Sequence, residues 1–201
     1  MINSEIDWKD KIVVDVGAEC GDTPLYFASK GAKVYAFEPM KTHFDFMEKN
    51  LKLNEELSKN IIPINAAIGK DGILKFFEST KKGGGPLASF VYNWQGKDFK
   101  TTEAQGYTLK SVKEKFGISH IDLLKMDCKG CEFLLTKEDL ENVDNVKIEY
   151  SIQGKKNKLE KLLQLLESMG FKCMLYRLTE QGRISNKFDG NIYGTKISNK
   201  I

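Results

Sequence analysis

In the stretch VVDVGAECGDTPLYFASKGAKVYAFEP, Val13 to Pro39, Asp15 closes an apolar run, glycines follow at 17 and 21, and a second carboxylate, Glu38, stands twenty-one residues after Gly17. Glycines at a strand exit let a loop turn tightly beneath a ligand. A carboxylate at the end of the next strand can accept both hydroxyls of a ribose. A dinucleotide fingerprint would need glycine in the middle of that loop, so that the backbone could approach a pyrophosphate. Glu19 holds that place here, and its charge would repel one. The run Gly17, Ala18, Glu19, Cys20, Gly21 suits a nucleoside without phosphates, whose amino-acid portion can meet backbone amides and a nearby carboxylate. S-adenosylmethionine has that make-up, with a sulfonium, an ammonium, a carboxylate and a ribose bearing two free hydroxyls. Asp15 would orient the loop or meet the ammonium through water. Each glycine taken singly is equally a tight turn, and Glu38 equally a helix cap; order and spacing together point to the ligand.

A second group of acids follows IDLLKMDCKGCEFL, Ile121 to Leu134, where Asp127 ends an apolar run and Glu132 lies beyond a glycine turn. Methyl transfer from a sulfonium is an in-line displacement, and an alcohol that attacks must lose its proton, so a carboxylate near it is a candidate general base. Asp127 is the first candidate, with Glu132 and Glu149 the second; Asp127 could equally fix the ammonium of the methyl donor. Asn65, with Ala66 after it, follows the third apolar run, where it would border an adenine ring or simply make a turn. Pro39 ends the second run beside Glu38.

These residues need a scaffold that brings strand ends together. KIVVDVG reads as a buried strand, and DTPLYFASKG as a helix capped by Asp22 or Thr23, with Pro24 in its first turn and Gly31 as its stop. AKVYAFEP is a second strand, KTHFDFMEKNLKLNEEL a second helix, and NIIPINAAIG a third strand. Strands alternating with helices argue for a parallel sheet with crossover helices, hence an α/β fold. The segment from Lys70 to Ser111 breaks the rhythm and reads as a β-hairpin with a long loop containing Gly83, Gly84, Gly85 and Pro86 and exposed aromatics such as Trp94. Residues 78–107 are expected to be an insertion that meets substrate or acts as a lid, within a single domain spanning 1–201. SVKEKFG, CEFLLTKEDLEN and KKNKLEKLLQLLESMG are expected as helices, HIDLLKMD and NVKIEYSI as strands, and FKCMLYRL with GNIYGTKI as an antiparallel pair closing a sheet of about seven strands.

At 201 residues and 41% hydrophobic content the chain has material for one domain with a sizeable core. Lys+Arg 31 against Asp+Glu 28 gives a net charge of +3, too small a surplus for a nucleic-acid footprint. The lysine groups at 81–82 and 155–158 read as solvated faces. No run approaches the ~18 apolar residues of a membrane helix, and the first residues lack the core of a secretory signal, so a cytoplasmic protein is expected. Four cysteines are too few for a disulfide framework. Cys128 and Cys131 have the spacing of a redox or metal pair, with Cys20 on the adjacent loop. A structural zinc would want a second such pair, which is absent, so no metal is expected and small buried thiols are the simplest account.

With these pieces in order, the chain resembles the FkbM family of S-adenosylmethionine-dependent methyltransferases. The matching motifs are VVDVGAECG, GAKVYAFEP, NAAIGKDG, YTLKSV and DLLKMDCKGCEFL, with KIEYS at the next strand, and they span about Lys11 to Ser151. The resemblance implies a Rossmann-like class I methyltransferase fold with a seven-stranded sheet and helices on both faces. It also implies methylation of hydroxyl oxygens on sugars, glycolipids or small metabolites. Where the family usually has Val-Glu-Gly-Ala-Glu after the aspartate matching Asp127, this chain has Cys128, Lys129, Gly130, Cys131 and Glu132. Lys110 stands where an aspartate is common and Ser151 where a histidine is. The departures fall on the acceptor and acid/base side, and the cofactor residues are retained.

An O-methyltransferase acting on a small-molecule or glycan hydroxyl is therefore expected, with no nucleic-acid partner. The alternatives are a methyltransferase for RNA or protein, or a non-catalytic protein that binds S-adenosylmethionine. Closure of the cleft would fall to the Ser79 to Tyr107 loop or to a second subunit in a homo-oligomer.

Overall fold

The apolar runs IVVDV and KVYAF carry no polar face, which suits strands covered on both sides, and both lie inside a sheet flanked by others. The computed structural model describes residues 6–79, 88–89, 91, 99–152, 158–176 and 189–196. In chain order the elements are β1 (Ile12–Val16), α1 (Asp22–Ser29), β2 (Lys33–Phe37), α2 (Lys41–Lys52), α3 (Glu55–Ser58), β3 (Ile61–Ile64), β4 (Ala67–Ile68), β5 (Gly72–Ser79), β6 (Ala88–Ser89) and β7 (Phe99–Tyr107). There follow α4 (Leu109–Phe116), β8 (Ile121–Met126), a 3-10 turn (Cys131–Leu134), α5 (Lys137–Leu140), β9 (Val143–Ser151), α6 (Lys158–Ser168), β10 (Phe171–Tyr176) and β11 (Asp189–Lys196).

Seven strands form the main sheet in the order β10, β11, β9, β8, β1, β2, β3. Its central pairs are parallel, and β11 runs antiparallel to both β9 and β10. The expected class I methyltransferase arrangement, with its antiparallel C-terminal pair, is the one found. Side chains that alternate along each strand divide the core in two. Val13, Val34 and Leu123 pack with Phe27 of α1 and Met47 and Leu51 of α2, whereas Val14, Tyr35 and Leu124 join the cluster of Leu109 and Val112 of α4 and Leu159, Leu162 and Leu166 of α6. Helices therefore cover both faces. Pro63, which has no N–H to donate, lies in β3 at the edge of the sheet, where proline costs least.

From β1 the chain steps outward to β2 and β3, then crosses back to β8 on the other side of β1. That reversal leaves a crevice beyond the carboxyl ends of β1 and β8, the position at which open α/β sheets bind ligands. The hairpin expected after Lys70 is present, with Gly72 opposite Gly106 and Ser79 opposite Phe99. It belongs to a second sheet in the order β4, β7, β5, β6, so NIIPINAAIG is split between the two sheets. Trp94, Gly83 to Pro86, and the lysines at 81, 82, 155 and 156 lie outside the described residues.

Two local expectations are corrected. The cap of α1 is Gly21, at φ +89, and no side chain caps the helix. Asp22 and Thr23 already lie within the helix, and the cap position itself favours glycine, since its φ is left-handed and a Cβ there would come within 2.9 Å of Met47 Cγ. CEFLLTKEDLEN is not one helix. Leu135 turns extended, and Thr136 begins a new helix with a reciprocal capping box to Asp139, a stronger local signal than the apolar pattern running through it.

Candidate active site

The loop after β1 is shaped by residues in left-handed conformations, Gly17 at φ +80, Glu19 at +46 and Gly21 at +89. Gly17 cannot be replaced even by alanine without moving the backbone, because a Cβ there would lie 2.0 Å from the carbonyl oxygen of Asp127. The end of β8 thus passes directly against the loop, and Asp127 N donates to Val16 O at 2.8 Å. The amides of Gly17 and Ala18 both donate to Phe37 O, which ties the loop to the end of β2.

Glu38, one residue on, is buried with a carboxylate spread between two loops. Oε2 accepts from Glu19 N at 3.0 Å, Oε1 accepts from Met40 N at 2.8 Å, and His43 Nδ1 stands 3.7 Å from Oε1. Asn65 Nδ2 donates to the carbonyls of Glu38 and Pro39, so it braces the exit from β2. A cleft opens beside these groups. Phe37, Pro39, Met40, Ala66, Ile68 and Phe76 give it an apolar wall, with Glu38, Glu19, His43 and Asp127 among its polar groups. A second, polar cleft shares Gly17, Glu19 and Asp127 with the first and continues to Asp22, Thr23, Lys125, Lys147, Glu149 and Asn191. One side can hold a flat apolar ring, the other charged groups.

Asp15 is completely buried and lines neither cleft. Its Oδ1 pairs with Lys125 Nζ at 2.9 Å, and Lys125 also donates to Gly17 O at 3.1 Å. Burial raises the Asp15 carboxyl to about 6 against the pull of Lys125. The Lys125 ammonium is held above its usual range: burial works against its charge, and Asp15, with Asp127 and Asp22 beyond it, outweighs burial. The pair supports the loop from below. Lys125 had no place in the motif reading, although a lysine inside the apolar strand IDLLKM was a visible signal that a buried counter-ion had to exist.

Of the three acids named as catalytic candidates, two meet. Lys129 Nζ lies 2.8 Å from Asp127 Oδ1 and 2.6 Å from Glu149 Oε1, joining two carboxylates that line the polar cleft. Asp127 and Glu149 together hold the Lys129 charge on well above its ordinary range, although burial opposes it. Glu132 points elsewhere: completely buried, it accepts from Gly130 N at 2.7 Å and Ser151 N at 3.1 Å, and so pins the turn after β8 to β9. The expectation that Cys128 and Cys131 are small buried thiols is corrected. The two are joined by a disulfide, with Cys20 and Cys173 free, because the turn brings their Cα atoms to 5.6 Å.

Burial pushes the Glu132 carboxyl up to about 7 from an ordinary 4.5, despite the amides and Lys129. A folded-state value above the unfolded one means stability that is full below pH 4.5 and is lost as pH rises through 7. The loss from this group is about 3 kcal/mol. Glu132→Gln is expected to flatten that decline, and denaturant midpoints of both proteins between pH 4.5 and 8 will show whether the difference in slope is there.

A family model described as Methyltransferase FkbM domain matches residues 15–173. Methyltransferase sdnD of Sordaria araneosa is 29% identical over 191 aligned residues, covering 79% of this chain and 73% of that protein. Uncharacterized protein 158B of Sulfolobus islandicus rod-shaped virus 1 is 28% identical over 130, covering 64% of this chain and 53% of that one. Among solved structures, SMU.1697c of Streptococcus mutans in complex with SAH superposes with a TM-score of 0.58 at 14% identity, over 94% of this chain and 90% of that one. An rRNA methylase from Streptococcus thermophilus gives 0.57 at 15%, over 94% and 88%. At such identities the structures share the fold.

Proposed function

The chain belongs to the FkbM methyltransferase family, and on that premise we propose that it uses S-adenosylmethionine to methylate a hydroxyl oxygen on a sugar, glycolipid or small metabolite. The observation that carries the cofactor is the buried Glu38 carboxylate, set between an apolar cleft and a loop too tight for any side chain at Gly17. The residues fit the group. Each Glu38 oxygen accepts one amide and keeps a second lone pair for a ribose hydroxyl. Pro39, Met40, Ala66, Ile68 and Phe76 would enclose the base, with Asn65 fixing the carbonyls at the rim. Ala18, Glu19 and Gly21 would receive the amino-acid portion together with Asp127.

S-adenosylmethionine supplies an electrophilic methyl group on a sulfonium. The protein supplies position, charge and a proton acceptor. Asp127 borders both clefts and already holds one ammonium, that of Lys129, at 2.8 Å. It is suited to hold the ammonium of the donor. Glu149 borders only the polar cleft, where an acceptor hydroxyl would arrive, and is the carboxylate placed to take its proton. Glu132 keeps the turn in place, and Asp15 acts through Lys125.

Transfer of labelled methyl from the donor tests this against three acceptor pools: hydroxylated small molecules and glycans, RNA, and protein. Label appearing in a base-stable ether of the first pool is expected. Label in RNA or protein alone would overturn the hydroxyl assignment.

A further inference from the structure

Methyl transfer makes no use of the disulfide in the turn after β8, nor of the acid buried beside it. Cys128 forms part of the wall of the apolar cleft, and Cys131 is buried behind it. A Glu132 carboxylate oxygen lies 3.5 Å from Cys128 Sγ, and that carboxylate and both sulfurs lie within 4.8 Å of one another. Thiol–disulfide exchange at a buried pair has two requirements: access to one sulfur, and a proton for the sulfur that departs into a site where a thiolate is poorly solvated. The cleft provides the first and Glu132 the second. The acid of Glu132 titrates at about 7, so it can both give and regain a proton near neutrality.

The same turn carries Lys129. Between the two cysteines, Lys129 and Gly130 sit at φ +50 and +121, and the Lys129 carbonyl accepts from the buried Ser89 Oγ of β6 at 2.8 Å. The cross-link thus closes a short loop around a lysine in a conformation that a side chain disfavours. That lysine places its ammonium on Asp127 and Glu149.

We propose that Cys128 and Cys131 form a redox-active dithiol–disulfide site, with Glu132 as its proton carrier, whose opening withdraws Lys129 from Asp127. One thiolate of a dithiol reductant attacks Cys128 Sγ. The Cys128–Cys131 bond breaks, its electron pair stays on Cys131 Sγ, and that sulfur takes a proton from Glu132. The reductant's second thiolate then attacks its own sulfur in the mixed disulfide and releases Cys128. The two reductant protons end on the two cysteines, one by way of Glu132, and the reductant leaves as a disulfide. With Lys129 withdrawn, Asp127 is open to a cationic ligand. This consequence for the donor rests on the cofactor reading above.

The test uses the whole chain, oxidised and then treated with dithiothreitol. Thiol titration is expected to rise from two to four as the pair opens. Calorimetry with S-adenosylmethionine is expected to give about 10-fold tighter binding to the reduced protein, within the usual span of coupling between sites. A Cys128→Ser/Cys131→Ser variant should match the reduced protein and ignore dithiothreitol. Glu132→Gln should slow reduction about 10-fold, and an unchanged rate removes Glu132 from the step. Equal affinity in both states overturns the proposal while leaving the cofactor reading intact; absence of binding in both overturns the two together.

Discussion

Glu38→Ala is expected to weaken binding of S-adenosylmethionine by about 10²–10⁴-fold. Two hydrogen bonds from ribose hydroxyls to a buried carboxylate are charge-assisted, each contributing roughly 1.5–3 kcal/mol, and alanine removes both. The substitution also frees the amides of Glu19 and Met40, which accounts for part of any loss through the loop alone. A donor analogue lacking the ribose hydroxyls separates the two contributions. The wild-type protein should discriminate strongly against that analogue, and Glu38→Ala should bind donor and analogue alike. If the variant keeps the discrimination, the hydroxyls are held by some other group.

Asp127→Asn is expected to lower turnover by about 10²-fold, because a methyl donor no longer anchored by its ammonium is misplaced for in-line attack. It is expected to weaken the donor as well, because Asp127 borders both clefts and already holds an ammonium, which it shares with Glu149. Asparagine keeps the shape and removes the charge, so the split between affinity and turnover identifies the role. Weaker donor binding assigns Asp127 to the ammonium. Unchanged binding with lost turnover would make Asp127 the base and leave Glu149 as its neighbour. The pairing with Lys129 bears on either outcome, since its ammonium touches both Asp127 and Glu149.

The alternation of strands and helices, and with it the class of fold, was legible because it depends on chain-local signals: apolar runs closed by glycine or proline, and helices between them. Gly17 and Glu38 stand at the ends of successive strands in the sequence itself, whereas putting Asp127 beside them depends on the methyltransferase topology that the resemblance implies. Less was legible where the outcome depends on tertiary partners. Glu132 looked as available as Glu149, since three carboxylates in one region carry no mark of which faces a cavity. Only the folded chain shows Glu132 turned inward onto Gly130 N and Ser151 N. Lys129 stood out as a departure from a family pattern, yet its bridge between Asp127 and Glu149 spans β8 and β9 and has no counterpart in sequence spacing. Asn65 lies near the expected ring, but its amide is spent on the carbonyls of Glu38 and Pro39. The second sheet was missed because Ala67–Ile68 is too short to signal a strand of its own.

A crystal structure of the protein grown with S-adenosylhomocysteine shows whether Glu38 holds the ribose of the donor. Both ribose hydroxyls are expected within hydrogen-bonding distance of the Glu38 carboxylate, the base against Met40 and Ala66, and the amino-acid portion over Gly17 to Gly21. A nucleoside bound away from Glu38, or a cleft that stays empty at saturating ligand, would contradict it.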